Sequence, residues 1–253
     1  MRHLLTIQYL GTRYAGWQTQ ANAVGVQQVI EGAARKMMGQ TVRLEGASRT
    51  DSGVHAAGQR AHADIPIEIS PSGLVLGLND LLPSDIRIVA AEPVAETFHC
   101  RYAAVSKRYV YRIWNDAVAS VFLAATHAHI RQELDAERMA GAVVPLAGEH
   151  DFKSFTVASP EATSTVRTVH EVSVEREGKV VSIAISADGF LRFMIRRIAG
   201  SLIEIGRGAL PPEAITDALE PSFAEARWTA PPVGLTLEEI RYAAGTRRIK
   251  AEG

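Results

Sequence analysis

The chain has 253 residues, with 27 Lys or Arg against 28 Asp or Glu, a single cysteine and 47% hydrophobic residues. That length supports one large domain or two modest ones with real cores, and a lone cysteine excludes an internal disulfide and points to a reducing cytoplasm. No stretch approaches the roughly 20 apolar residues of a membrane helix, and the opening segment His3–Tyr9 reads as a strand rather than a signal peptide.

Leu5, Ile7 and Tyr9 alternate with Thr6 and Gln8, the period of a half-buried strand. From Val26 the spacing changes: Val26, Val29, Ile30, Ala33 and Met37 form a helical face that ends at Gly39. Short strands are predicted at Thr41–Glu45 and about Gln59–Ile69, with a Gly- and Asp-rich loop between them. Ser70 and Pro71 open a helix carrying Leu74, Leu78 and Leu81, which Pro83 stops. Ile86–Ala91 is the next strand, so the first half has the order βαββαβ.

The second half repeats that order. Lys107–Trp114 is a strand with Tyr109, Tyr111 and Ile113 on one side. Asp135 caps a helix bearing Met139, Val143 and Leu146. Strands at about Arg167–Glu175 and Lys179–Ala187 meet at the turn Glu177-Gly178. A long helix follows, with Phe190, Met194, Ile198, Leu202 and Ile205 facing a core and Gly206 closing it. A short helix begins at Pro211-Pro212, and Leu235–Tyr242 supplies the last strand. The expectation is an α+β fold of two ferredoxin-like halves, 1–105 and 106–253, with mainly antiparallel strands merged into one central sheet and flanking helices. Such folds host many activities, so the site must decide function. The Lys/Arg-Gly-Phe signature of an RNA-binding RRM strand is missing.

A net charge of −1 announces no polyanion partner, so any phosphate-gripping surface must come from uneven placement. Arg101, Lys107, Arg108 and Arg112 lie together without an intervening acid. Arg192, Arg196, Arg197 and Arg207 face only Asp188 and Glu204, and Arg247, Arg248 and Lys250 end the chain. Each cluster reads equally as solvated surface or as a binding face. His127 and His129 could share a strand face, but no third ligand is near in sequence, so no metal site is expected. Cys100 reads as a buried small residue.

The loop Gly46–Gln59 holds the most unusual chemistry. Three glycines flank Arg49 and Asp51, a guanidinium and a carboxylate two positions apart. A surface ion pair is the plain reading. Neither a P-loop ending nor a Gly-x-Ser-x-Gly elbow is present.

This loop, Ser48-Arg49-Thr50-Asp51-Ser52-Gly53-Val54-His55-Ala56, resembles the signature of the tRNA pseudouridine synthase A family. Six further blocks resemble that family in order: Tyr9–Gln18, Leu78–Ile86, Phe98–Tyr102 with Lys107–Tyr111, His150–Phe155, Gly189–Arg196 and Ala230–Leu235. The resemblance implies isomerisation of uridine to pseudouridine in the anticodon arm of tRNA, at positions 38 to 40, without cofactor or metal. It implies Asp51 as the catalytic carboxylate, Arg49 as the group that fills the gap left by a flipped base, Tyr109 as a stacking platform and Arg196 as the cation paired with Asp51. Arg108 and Arg192 become candidates for RNA contact beside Arg49 and Tyr109.

By the same resemblance the partners are tRNA and a second copy of the chain, with no membrane and no small-molecule cofactor. The residues leave the intermediate open between a C1′ adduct, a glycal and a C6 adduct. Leu191 and Met194 read mainly as core, and His55 braces the loop rather than moving protons. Leu10, Thr19 and Ser48 depart from the family's usual Asp, Arg and Gly, which bears on substrate range. The alternative is a non-catalytic RNA-binding or tRNA-chaperone module, which would not need the carboxylate. A glycoside hydrolase would need a second acid at a defined distance, and no such pair stands out.

Overall fold

A computed structural model describes residues 1–157, 164–220, 222–223 and 226–246. The basic tail Arg247–Lys250 lies outside them. The chain is a mixed α+β protein with a large, mostly antiparallel sheet and flanking helices. It divides into two compact units, Met1–Val105 together with the stretch from Leu237, and Ser106–Thr236. Most of the final strand, which the sequence reading set in the second half, therefore falls in the first unit.

In the first unit β1 (Arg2–Tyr9) leads to α1 (Val26–Met38), the two-residue β2 (Glu45–Gly46), β3 (His55–Asp64), α2 (Pro71–Leu81) and β4 (Ile86–Pro93). β1 is central, antiparallel to both β3 and β4, with Leu5 opposite Ala61 on one side and Ala91 on the other. Its Leu4, Leu5 and Ile7 are fully enclosed with Ile30 of α1 and Leu74 and Leu78 of α2. Gly39 ends α1 at φ 73, and its N–H donates to the Arg35 carbonyl, a left-handed stop that favours glycine. Ser70 caps α2 by accepting the Gly73 N–H at 3.1 Å.

The predicted strand at Thr41–Glu45 shrinks to β2 for a local reason. Val42 and Leu44 are buried, yet the Leu44 N–H donates to Glu31 Oε1 at 2.9 Å and its carbonyl accepts from Gln27 Nε2 at 2.9 Å. Side chains of α1 thus take the bonds that a neighbouring strand would otherwise make.

The second unit runs β5 (Ala104–Asn115), β6 (Ala128–Ile130), α3 (Ala136–Val143), β7 (Gly148–Asp151), β8 (Val166–Glu177), β9 (Val180–Ala187), α4 (Met194–Gly206) and α5 (Ala214–Asp217), before β10 (Leu235–Tyr242). β5, β9, β8 and β7 pair antiparallel in that order, while β6 adds to β5 in parallel. Asp135 caps α3 by accepting the Arg138 N–H at 2.9 Å. α4 is buried along most of its length, and a Cβ on its Gly200 would lie 2.6 Å from the Trp228 carbonyl oxygen, so the segment after α5 crosses it closely. Phe190, expected on the α4 face, instead precedes the helix.

Candidate active site

Asp51 sits half-buried on the loop before β3, between exposed Arg49 and exposed Ser52. Its support begins at α1. That helix has no side-chain cap; its Val26 and Gln27 N–H groups donate to the carbonyls of Gly16 and Trp17 at 3.0 and 2.9 Å. The Trp17 N–H in turn donates to the Thr50 carbonyl at 3.1 Å, and the Gly53 N–H to that of Tyr14 at 3.3 Å. A chain of backbone bonds therefore links the helix to the residues either side of Asp51.

Two glycines in the 11–16 segment make this approach possible. A Cβ on Gly11 would lie 2.0 Å from the Val54 oxygen. Gly16 adopts φ 86, and a Cβ there would lie 2.5 Å from the Thr50 oxygen and 3.2 Å from the Asp51 carbonyl carbon. Side chains complete the frame. Tyr9 and Thr50 share a hydroxyl hydrogen bond at 2.8 Å, and the Gly11 N–H donates to His55 Nδ1 at 3.0 Å. His55 is buried and its Nδ1 is an acceptor, so it braces the loop.

Gln59 is fully buried and bridges Ser48 in both directions. Its Oε1 accepts the Ser48 N–H at 3.2 Å, and its Nε2 donates to the Ser48 carbonyl at 2.7 Å. Nothing in the spacing of Gln59 marks it as this bridge. Ser48 itself is buried, whereas Leu10 and Thr19 are solvent-facing.

In the second unit Tyr109 lies on β5 opposite Ile185 of β9 and is 4% exposed. Its ring meets Phe190 edge-on, centroids 5.1 Å apart. Tyr111 is wholly buried, and its hydroxyl donates to the Pro231 carbonyl at 2.9 Å. Burial pushes its phenol pKa upward, while nearby Arg196 pulls the other way. Arg196 lies in the first turn of α4, with its Nε donating to the Ala230 carbonyl at 2.9 Å.

The late arginine cluster does not form one patch. Arg197 is buried, donating to the carbonyls of Thr156 at 2.7 Å and Ser154 at 3.4 Å, and Arg207 pairs with Glu204 at 2.6 Å. Arg192 remains exposed, while Arg108 lies 3.8 Å from Glu171 in a loose surface pair. Charge counting cannot separate these cases because burial depends on where each residue falls, Arg197 within α4, Arg192 before it, Arg207 after it and Arg108 on β5.

His127 Nδ1 shares a bond with Thr126 Oγ1 at 3.0 Å, and His129 Nε2 with the Asp116 carbonyl at 2.8 Å. Among the described residues no group of three or more His, Cys, Asp or Glu could hold a metal ion. Nor is any described helix long and apolar enough to cross a membrane. Cys100 is buried, its thiol donating to the Glu45 carbonyl at 3.0 Å.

A sequence model of a family described as tRNA pseudouridine synthase matches residues 5–103 and 142–243. Curated relatives of that kind align along almost the whole chain. The tRNA pseudouridine synthase A of Myxococcus xanthus is 40% identical over 243 residues, 95% of this chain and 92% of its own. That of Thermoanaerobacter sp. (strain X514) is 40% identical over 240 residues, covering 94% and 98%. That of Geotalea daltonii is 41% identical over 248 residues, covering 96% and 100%. With the family model matching both the Asp51 loop and α4, and relatives aligned along almost the whole chain, the chain belongs to the tRNA pseudouridine synthase A family.

Proposed function

We propose that this chain isomerises uridine to pseudouridine in the anticodon arm of tRNA, at positions 38 to 40, with Asp51 as the catalytic carboxylate. The observation that carries the reading is the Asp51 loop, framed by glycine-permitted backbone contacts and side-chain bonds. A module that only bound RNA would have no use for a carboxylate on a backbone framed so closely.

The reaction breaks the C1′–N1 bond and forms a C1′–C5 bond; N1 gains a proton and C5 loses one. Atoms and electrons balance within the nucleoside, so it requires no group donor and no redox partner. A carboxylate assists by attacking C1′, by promoting elimination to a glycal, or by adding at C6.

The target base must first leave its stack, at a cost of a few kcal/mol. Exposed Arg49, two residues from Asp51, fits the space vacated, because its planar guanidinium both stacks and hydrogen-bonds. Tyr109 is the ring on which the base stacks; Phe190 meets it edge-on and it is 4% exposed, so neighbouring side chains must move to admit the base. Arg196 is the cation this reading assigns to the reaction, held in the first turn of α4 by the Ala230 carbonyl. Arg108 and Arg192 contact phosphates, in a cytoplasmic enzyme that works as a homodimer so that one tRNA meets basic residues of both copies.

The test is pseudouridine mapping on unmodified tRNA transcripts that carry uridine or cytidine at each of positions 38, 39 and 40. Conversion confined to those uridines, without added metal or nucleotide, is the expected result. Conversion elsewhere in the tRNA, or RNA binding without conversion, would overturn the assignment. Sedimentation as a monomer at working concentration would overturn the dimer.

A further inference from the structure

Phe193, the N-cap of α4, has φ 63 and is the sole non-glycine residue with positive φ among those described. A bulky side chain in this region is strained and persists only where its surroundings hold it. Asparagine or glycine would accept the same backbone more readily. Capping does not explain the choice either. Ser70 and Asp135 each accept a backbone N–H at the start of their helices, whereas the Phe193 side chain makes no such bond.

What the ring does touch is charge. The guanidinium carbon of Arg196 lies 4.9 Å from its centroid, and that of Arg192 lies 5.2 Å away. Each arginine has a second tether. Arg196 donates from Nε to the Ala230 carbonyl, and its own carbonyl accepts the Ala230 N–H, both at 2.9 Å. The Arg192 carbonyl accepts from Thr156 Oγ1 at 2.9 Å. The Phe193 carbonyl receives the Arg197 N–H at 2.9 Å, an early bond of the helix. Its left-handed backbone thus redirects the chain between Phe190, which pins Tyr109, and the turn that carries Arg196.

We propose that Phe193 is a positioning residue for the isomerisation. Its ring fixes the Arg196 guanidinium at the start of α4 and holds Arg192 toward RNA phosphate, and its strain is retained for that purpose. This rests on the reading of Arg196 given above. The ring never touches the reacting atoms; it acts through the two arginines.

Four variants of the full chain test this: Phe193→Tyr, Phe193→Leu, Phe193→Asn and Arg196→Ala. The readouts are the single-turnover rate on a tRNA transcript at saturating enzyme, and the thermal midpoint. Phe193→Tyr keeps an aromatic face and is expected to react within about twofold of wild type. Phe193→Leu and Phe193→Asn are expected to slow the reaction by about three- to tenfold. The thermal midpoint of Phe193→Asn holds or rises, since asparagine relieves the strained backbone.

A wild-type rate in Phe193→Leu or Phe193→Asn would overturn the proposal. So would a loss in Phe193→Tyr equal to that in Phe193→Leu, or a Phe193→Asn midpoint that falls in step with its rate. Arg196→Ala separates the two readings. A slow Arg196→Ala beside a wild-type Phe193→Leu removes only the positioning role, whereas a wild-type rate in Arg196→Ala removes the role of Arg196 and that of Phe193 with it.

Discussion

Replacing Gly16 with alanine adds one methyl group to a residue that performs no chemistry, yet it is expected to disable the loop. Two costs combine. At φ 86 an L side chain is strained by about 1–2 kcal/mol. The new Cβ would also lie 2.5 Å from the Thr50 oxygen, closer than real Cβ atoms come, and 3.2 Å from the Asp51 carbonyl carbon, a tight contact. Both neighbours are backbone, so neither yields by rotating a side chain, and the loop must retreat by about 0.5–1 Å to restore ordinary contact. A misplacement near 1 Å at a catalytic group costs up to about 100-fold in rate. Gly39→Ala is the matched control, since φ is 73 but nothing lies within 4 Å of its Cβ. Urea denaturation should show Gly39→Ala losing about 1–2 kcal/mol and Gly16→Ala losing more. Single-turnover conversion of a tRNA transcript should fall about 10- to 100-fold for Gly16→Ala and stay unchanged for Gly39→Ala. A Gly16→Ala variant that reacts at the wild-type rate would refute the view that this backbone contact places Asp51.

Other expectations follow from single contacts. Tyr9→Phe removes the partner of the Thr50 hydroxyl and should cost about 1 kcal/mol in denaturant midpoint measurements, with a smaller loss of rate than Gly16→Ala. His62 is held down to about 4, chiefly by burial and then by Arg2 and His99. Between pH 4 and 6.5 the unfolded chain binds the extra proton, so stability should be full above pH 6.5 and fall as the pH drops toward 4; His62→Phe should flatten that part of the acid unfolding profile. Gly58→Ala would bring a Cβ within 2.2 Å of the Glu238 oxygen on β10, and should lower the thermal midpoint by several degrees through the first unit.

Local signals in the sequence carried their elements well. The apolar spacing of Val26 to Met37 with Gly39 behind it, the Ser70-Pro71 opening and the Asp135 cap all lie where those residues place them. The β8–β9 turn at Glu177-Gly178 does too, with Gly178 at φ 57. Features set by distant partners were not legible. β2 is short because Glu31 and Gln27 reach Leu44 across the turn after α1, and β6 and β7 exist only through pairing with β5 and β8.

Phe190 drops out of α4 because Phe193 adopts a left-handed backbone, which no periodicity reveals. At the site, the position of Asp51 among glycines and the block pattern around it could be read directly. The role of Gly16 could not, because it depends on an approach between segments more than thirty residues apart. Gln59 was missed for the same reason, since its value lies in the Ser48 backbone it bridges.

The central claim is that Asp51 performs the chemistry while the rest of the loop holds it in place. Asp51→Asn keeps the size and shape of the side chain and removes only its charge. Measured under single-turnover conditions beside wild type, the variant should form no pseudouridine above background while binding the same tRNA transcript within about threefold of wild-type affinity. Pseudouridine formation by Asp51→Asn at a rate near wild type would contradict the account.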